Sequence, residues 1–442
     1  MARPREIHVC SECGAQSLQW LGQCPECHAW NTLVPQIAPD RRSPKRAAGD
    51  GRQAMPLVEV PESAHKPYGS GILALDRVLG KGLVPGSGLL IGGEPGIGKS
   101  TLLLQVAGLV ALQGRTVLYA TGEESLPQVR GRAERLGMLD PNLLAVATTR
   151  VEDVLESIVQ NKPALAVVDS VQTMTSLDAE GLPGNVGQVR AVATRLLEEC
   201  RRLGCTLVLV GHVTKDGTLA GPRLLEHMVD TVISLEGDRR QLFRLLRVFK
   251  NRYGPNEELL VFRMEETGMQ VIEDPSTFFL EARDPSLSGT AVVMAVDGQR
   301  PLAVEVQALV ARTYLAIPRR TALGFDVNRL HLLLAVLEKR LKLNFGQVDI
   351  YAKVGGGLRI QEPGLDLAIV SAVLSSFYDV PLPEKMVVWG EVDLNGQIRP
   401  VSAHHLRHGQ AKRLGFNPIV HPDAENGGTN TLTDFQVQLF HR

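Results

Sequence analysis

The sequence has no uninterrupted apolar run of roughly 18 residues, which excludes a bilayer-spanning helix. Met1–Cys10 has no apolar centre of the kind a secretory signal needs, so a cytoplasmic location is expected. Six cysteines in 442 residues are too few for a disulfide scaffold. The formal net charge is −1, so any case for nucleic acid must come from local patches. What remains is ordinary globular composition, 44% hydrophobic and 21% charged, at a length that implies two or three domains.

Composition divides the chain into blocks. Residues 1–34 hold four of the six cysteines, and 35–67 form a Pro-, Arg-, Gly- and Ala-rich stretch without periodicity, read as a mobile linker. Across 68–275 short apolar runs alternate with amphipathic ones. Leu89–Ile91, Thr116–Ala120, Ala164–Val168 and Thr206–Val210 are predicted strands; Thr101–Leu112, Leu126–Leu136 and Val189–Leu203 are predicted helices. That alternation implies a parallel sheet covered on both faces. Residues 281–442 read as a separate α+β domain. It opens with a hairpin at Asp297-Gly298 and continues with a helix over Asn328–Leu341, a strand over Val348–Val354 and a helix over Leu365–Phe377. A strand over Val387–Val392, a helix over His404–Leu414 and a strand over Pro418–His421 complete it.

Cys10-x-x-Cys13 and Cys24-x-x-Cys27 are two knuckles ten residues apart. Each knuckle aims two thiolates at one ion from a tight turn, and two knuckles complete a tetrahedron around Zn²⁺. A module of about 30 residues buries too little apolar area to fold alone, so the metal supplies folding energy and no open position for catalysis. Trp20, Trp30 and Leu33 are expected to pack around this site, with base stacking by an exposed tryptophan as the alternative. Cys200 and Cys205, in an apolar region, read as buried thiols.

Gly93-Glu94-Pro95-Gly96-Ile97-Gly98-Lys99-Ser100 matches G-x-x-x-x-G-K-[ST], after a predicted strand and before a helix starting at Thr101. Glycines let backbone N–H groups turn towards phosphate oxygens, and the helix N-terminus adds its dipole. Lys99 is expected to reach the β- and γ-phosphates of ATP, and Ser100 to ligate Mg²⁺. Ala164–Asp169 is an apolar strand ending in a carboxylate, which fits the magnesium shell, with Ser170 in support. Glu123 and Glu124 follow another strand. One of them, Glu123 by preference, would orient and deprotonate the attacking water; a capped helix start is the plainer reading. His212, on the tip of a further strand, is either a γ-phosphate sensor or a structural residue. Arg239–Arg252 interleaves basic residues with Phe243 and Phe249. Such an edge serves a DNA backbone, a neighbouring subunit's nucleotide, or merely a solvated face.

Cys10–Cys27 with Trp20–Cys24 and Trp30-Asn31, the Gly93–Thr101 loop, Gly211–Gly217 and Lys250-Asn251-Arg252-Tyr253-Gly254 together resemble the RadA (Sms) family of bacterial DNA repair ATPases along nearly the whole chain. The resemblance implies a RecA-like P-loop ATPase core, an α/β fold, with an N-terminal four-cysteine zinc finger and a C-terminal α+β domain similar to the Lon protease domain. It also implies a hexameric ring motor that moves on single-stranded DNA and drives branch migration of branched intermediates, with the recombinase RecA as partner. Lys250 and Arg252 would then act between subunits. In the Lon-like block, Gly364 stands where that protease family has its nucleophilic Ser, and His405 where it has its Lys, so peptidase chemistry is expected to be absent. Lys342, Lys353, Arg359, Arg407, Lys412 and Arg413 would offer it a scattered basic surface. The competing readings are an ATP-driven Lon-like peptidase, a strand-pairing filament, and a zinc-anchored scaffold.

Overall fold

The computed structural model describes residues 6–10, 15–37, 56–59, 66–211, 223–237, 243–256, 258–280, 283–298, 300–422 and 429–440. The chain divides into two compact units: Met1–Glu236 with Leu246–Asn256 and Met264–Gln270, and Gly237–Leu245 with Glu257–Arg263 and Val271–Arg442.

At the start of the first unit, β1 (Glu6–Cys10) pairs antiparallel with β2 (Gln16–Ser17) and β3 (Leu33–Ile37). Their small core is Cys10, Cys24 and Leu33. β3 thus carries regular pairing as far as Ile37, and a single 3-10 turn occupies Leu57–Glu59.

After α1 (Leu73–Val78) come β4 (Gly88–Gly93), α2 (Lys99–Leu112), β5 (Val117–Thr121), α3 (Leu126–Arg135), β6 (Leu143–Ala147) and α4 (Val151–Asn161). The order continues with β7 (Leu165–Asp169), α5 (Val186–Leu203), β8 (Thr206–Val210), α6 (Arg223–Met228), β9 (Thr231–Glu236), β10 (Phe243–Asn251), β11 (Leu259–Glu265) and β12 (Gly268–Val271). One sheet runs β12-β11-β10-β9-β4-β8-β7-β5-β6, and β9, β4, β8, β7, β5 and β6 pair parallel. Every residue of β4, β5, β7 and β8 is buried, as expected for parallel strands covered on both faces. Helix α2 buries residues around nearly its whole circumference, from Leu102 to Ala111, and begins at Lys99, soon after β4 ends at Gly93, so its N-terminus lies at the C-terminal end of that strand.

The second unit contains α7 (Pro275–Leu280), β13 (Thr290–Asp297), β14 (Arg300–Arg312), β15 (Arg320–Leu323), α8 (Val327–Leu341), β16 (Val348–Val354) and α9 (Asp366–Tyr378). It ends with β17 (Val387–Val388), β18 (Glu391–Val392), β19 (Ile398–Arg399), α10 (His404–Arg413), β20 (Ile419–Val420) and α11 (Leu432–Phe440). Its main sheet has the order β15-β16-β14-β13-β17-β20. The expected hairpin pairs Asp297 with Arg300. The single strand expected over Val387–Val392 is instead two: β17 joins the main sheet, and β18 pairs with β19. The break falls at Trp389 and Gly390. Trp389 is buried, and a Cβ on Gly390 would come within 2.7 Å of the Ile398 side chain.

Candidate functional site

The loop between β4 and α2 is shaped by glycines that tolerate no side chain. Gly93 (φ 151°) and Gly98 (φ 113°) lie outside the range L side chains favour. A Cβ on Gly93 would approach the Leu235 carbonyl oxygen to 2.5 Å, and one on Gly98 would meet Met269 Cε at 2.3 Å. Ile97 is fully buried and anchors the loop, while Glu94, Pro95 and Gly96 are exposed. Lys99, only 4% exposed, donates to the carbonyls of Gly93 (2.8 Å) and Glu94 (3.0 Å), so its ammonium bridges the mouth of the loop. Ser100 and Thr101 follow in the first turn of α2, and a cavity of 570 Å³ opens beside Thr101, walled by Arg135, Leu136 and Met264–Gly268.

The other acids stand along the same edge. Ile91 pairs with Val210, and Val168 with Leu209, which brings Asp169 to the tip of β7 two strands from the loop. Asp169 is buried and accepts from the Tyr119 hydroxyl at 2.7 Å. Burial, and then this carboxylate, raise the Tyr119 phenol well above its ordinary pKa, so it remains a donor. The Thr121 hydroxyl accepts from the backbone N–H of Glu123 (3.3 Å) and of Glu124 (3.1 Å). Ser125 then starts α3 with its N–H on Gln128 Oε1 at 2.9 Å, the glutamine half of a capping box. The two acids have different partners: Glu124 is ion-paired with Arg132, and Glu123 accepts from Ser170 Oγ at 2.7 Å. Ser170 therefore touches the acid that follows β5 rather than extending the Asp169 shell. Tyr119 escaped sequence reading because only the strand order brings it to Asp169, whereas Thr121 and Arg132 reach Glu123 and Glu124 through the local turn from β5 into α3.

Lys250–Gly254 forms a tight, fully bonded turn. Asn251 is buried; its amide donates to the Leu79 carbonyl at 3.2 Å, and its Oδ1 accepts from Tyr253 N at 3.0 Å. A Cβ on Gly254 would fall 2.6 Å from Gly80 Cα. Lys250 donates to the carbonyls of Glu226 and Val229, each at 2.7 Å, closing the end of α6. Burial, then Arg252, depress its pKa. Arg252 is 58% exposed at its side chain, with Nη1 3.4 Å from Asp230 Oδ1, and it borders a 610 Å³ cavity with Lys81, Arg201 and Tyr253. Asp230 itself accepts from Gly88 N at 2.9 Å. Gly88 and Asp230 mark the starts of β4 and β9, whereas the loop leaves the end of β4. Five residues of strand at about 3.3 Å each, roughly 17 Å, separate Arg252 from its own chain's loop.

The remaining sequence-derived candidates separate. Arg244 is buried and donates to the Phe243 carbonyl at 2.7 Å, and Arg247 faces Glu236 at 3.6 Å, so this basic run is not simply a solvated face. Phe249 and Tyr253 are exposed. His212 to Gly217, Arg239 and Arg240 lie outside the described residues.

In the ribbon, Cys10, Cys24 and Cys27 bring their Sγ atoms within 4.8 Å of one another, and Cys13 lies outside the described residues. The Cys10–Cys27 Sγ separation is 3.6 Å, matching the roughly 3.8 Å edge of a tetrahedral zinc–thiolate centre. Those residues fit zinc. Leu33 packs beside them as expected, but Trp20 (57% exposed) and Trp30 (70% exposed) do not; they flank Gly22 on the surface. Among the described residues the ribbon's core is Cys10, Cys24 and Leu33 with Ala15 packed against it, and neither indole joins it.

In the second unit Arg407 belongs to the interior, not to the basic surface expected of it. It is fully buried, ion-paired with Glu362, and donates to the carbonyls of Met294 (2.5 Å) and Ser402 (3.0 Å). A Cβ on Gly364 would lie 3.0 Å from its Nη1. His405 is exposed. Arg413 is held 3.1 Å from Asp274. Among the described residues no helix is long and apolar enough to cross a membrane.

The chain is similar to several known proteins. A family model described as the rubredoxin metal binding domain matches residues 8–35, and one described as an AAA domain matches 73–218. The chain is 42% identical to the DNA repair protein RadA of Bacillus subtilis (strain 168), covering 97% of this chain and 94% of that one. It is 44% identical to the DNA repair protein RadA of Escherichia coli (strain K12), covering 95% and 93%. Among solved structures, a KaiC-like protein from Pyrococcus horikoshii OT3 aligns with a TM-score of 0.40 at 20% identity, over 47% of this chain and 99% of that one. With its zinc ribbon and P-loop ATPase core, the chain belongs to the RadA family of DNA repair proteins.

Proposed function

We propose that the chain is a cytoplasmic, DNA-dependent ATPase that translocates on single-stranded DNA and promotes branch migration of recombination intermediates, working as a closed head-to-tail ring, six-membered by family resemblance, beside a RecA-type recombinase. The observation that carries this reading is the division of the machinery between opposite edges of one sheet: the phosphate loop, Asp169 and Glu123 at one, Arg252 at the other.

At the loop edge, Lys99 leaves its two carbonyls for the β- and γ-phosphates, and the Gly93–Thr101 backbone N–H groups cradle the anion. Ser100 and Asp169 would hold Mg²⁺, which would neutralise charge on the phosphates. Tyr119 keeps the Asp169 carboxylate pointed outward. Glu123, oriented by Ser170, takes the proton of the attacking water, while Glu124 is engaged by Arg132. The base lies in the recess beside Thr101, against Arg135 and Leu136. Arg252 reaches the γ-phosphate of the adjoining copy, and Asp230 holds it in place. Lys250, fixed to the end of α6, couples that contact to the segment leading from β8.

Mixing two disabled proteins tests this. Full-length Lys99→Ala and Arg252→Ala are each expected to lose about 10³-fold or more in DNA-stimulated turnover. Together they regain a measurable fraction, because the first still lends its guanidinium to the second's intact loop. Mixtures that assemble yet stay as inert as either variant would reject the shared site. The peptidase alternative has no nucleophile at Gly364 and a buried ion pair where one would stand; unchanged casein after incubation with the protein and ATP is the expected result.

A further inference from the structure

Away from the nucleotide edge and the cysteine ribbon, the second unit gathers three imidazoles. His404 and His408 stand one turn apart on α10 and project from the same face. His421 follows β20 directly. The ring centres are 4.6 Å apart for His404 and His421, 5.9 Å for His404 and His408, and 6.0 Å for His408 and His421. All three rings are half-buried, which leaves an approach from solvent. Imidazole nitrogens at about 2.1 Å from a tetrahedral ion put ring centres roughly 5 Å apart, inside the observed spread.

Two further contacts prepare His421. Its Nδ1 lies 3.3 Å from the Pro422 carbonyl oxygen, which only accepts, so Nδ1 carries the proton and Nε2 keeps its lone pair. A backbone carbonyl on the outer nitrogen is the usual support of a metal-binding histidine. Beneath it Trp389, fully buried, stacks on the His421 ring at 5.0 Å and 12° and fixes its plane. Among the described residues only the ribbon cysteines already converge within 4.8 Å, so His404 and His408 must turn about χ2, a soft torsion for histidine, towards the fixed His421 ring.

We infer that His404, His408 and His421 form a second metal site of this chain, for a divalent zinc-class ion with water in the remaining position. The ion would tie α10 to the end of β20, bracing the segment that holds Arg407 against Glu362. His405 touches His404 at 5.8 Å but is exposed on the next position of the helix, and lies outside the site.

Full-length protein titrated with Co²⁺ tests this, since thiolate and imidazole sites differ in colour. The expected result is two equivalents per chain: one with sulfur-to-metal charge-transfer bands from the ribbon, one with d–d bands alone. His421→Ala, and His408→Ala separately, are expected to weaken the second equivalent by more than the 10–100-fold that loss of an outer partner costs, leaving the charge-transfer bands intact. His405→Ala keeps both. If His421→Ala disturbs folding because the Trp389 stack is lost, His408→Ala decides the matter. A single equivalent in the unaltered protein, or a second one that survives His408→Ala, would overturn the site.

Discussion

Tyr119 and Asp169 are 50 residues apart in sequence and joined by a buried 2.7 Å hydrogen bond. Removing the hydroxyl leaves a buried carboxylate short of a partner, at a cost of about 1–3 kcal/mol. Tyr119→Phe is therefore expected to lower the urea midpoint and to reduce ATP turnover about tenfold, with both read on the same sample. Ser170→Ala should act more narrowly. It removes the hydroxyl that Glu123 accepts from, so kcat falls several-fold while KM for ATP stays level, whereas Glu123→Gln removes the base and costs about 10²–10⁴-fold in steady-state assays. Equal kcat for Ser170→Ala and the unaltered protein would break the link between those two residues. At this scale the sequence was explicit wherever the chemistry is contiguous: Gly93–Ser100 needs no topology to be read, and Asp169 ends an apolar run. It was silent where a partner arrives from another strand, as Tyr119 does for Asp169, because pairing order leaves no trace in local spacing.

Among the elements, the Lys250–Gly254 turn shows how a charged segment becomes architecture. Gly254 stacks its backbone on Gly80, so Gly254→Ala forces a shift and is expected to cost about 1–3 kcal/mol, measurable as a lower denaturation midpoint with unchanged zinc content. Interleaved arginines and aromatics in β10 suggested a surface for DNA, yet Arg244 and Asn251 are buried within that strand. Charge alone did not reveal this, since long side chains can bury a stem and satisfy the head on a nearby carbonyl. The parallel core strands, by contrast, were legible as apolar runs, because burial on both faces removes any alternation. Val387–Val392 misled for a related reason: a mostly apolar run, here broken by Gly390 and Glu391, does not say where one sheet ends and another begins.

At the scale of the whole molecule, the ribbon's buried cluster among the described residues is Cys10, Cys24 and Leu33, with no member from the ATPase core, so the two are expected to lose structure separately. Chelation is expected to melt residues 6–37 and leave basal ATP turnover intact. Limited proteolysis followed by mass spectrometry would locate the new cuts there, and cuts throughout 73–218 would contradict that independence. The exposed indoles of Trp20 and Trp30 would be lost with the ribbon, so any partner that grips them would be released at the same time.

The distance between Arg252 and the loop of its own chain has a further consequence for counting. On the proposed reading, the loop edge of one copy meets the Arg252 edge of the next, so two copies would complete one catalytic centre and leave another half-made. An open row of n copies has n − 1 working centres, whereas a closed circle has n. Turnover per copy then climbs with length and reaches its ceiling only when the last gap shuts, so the reaction rate itself reports whether the circle is whole.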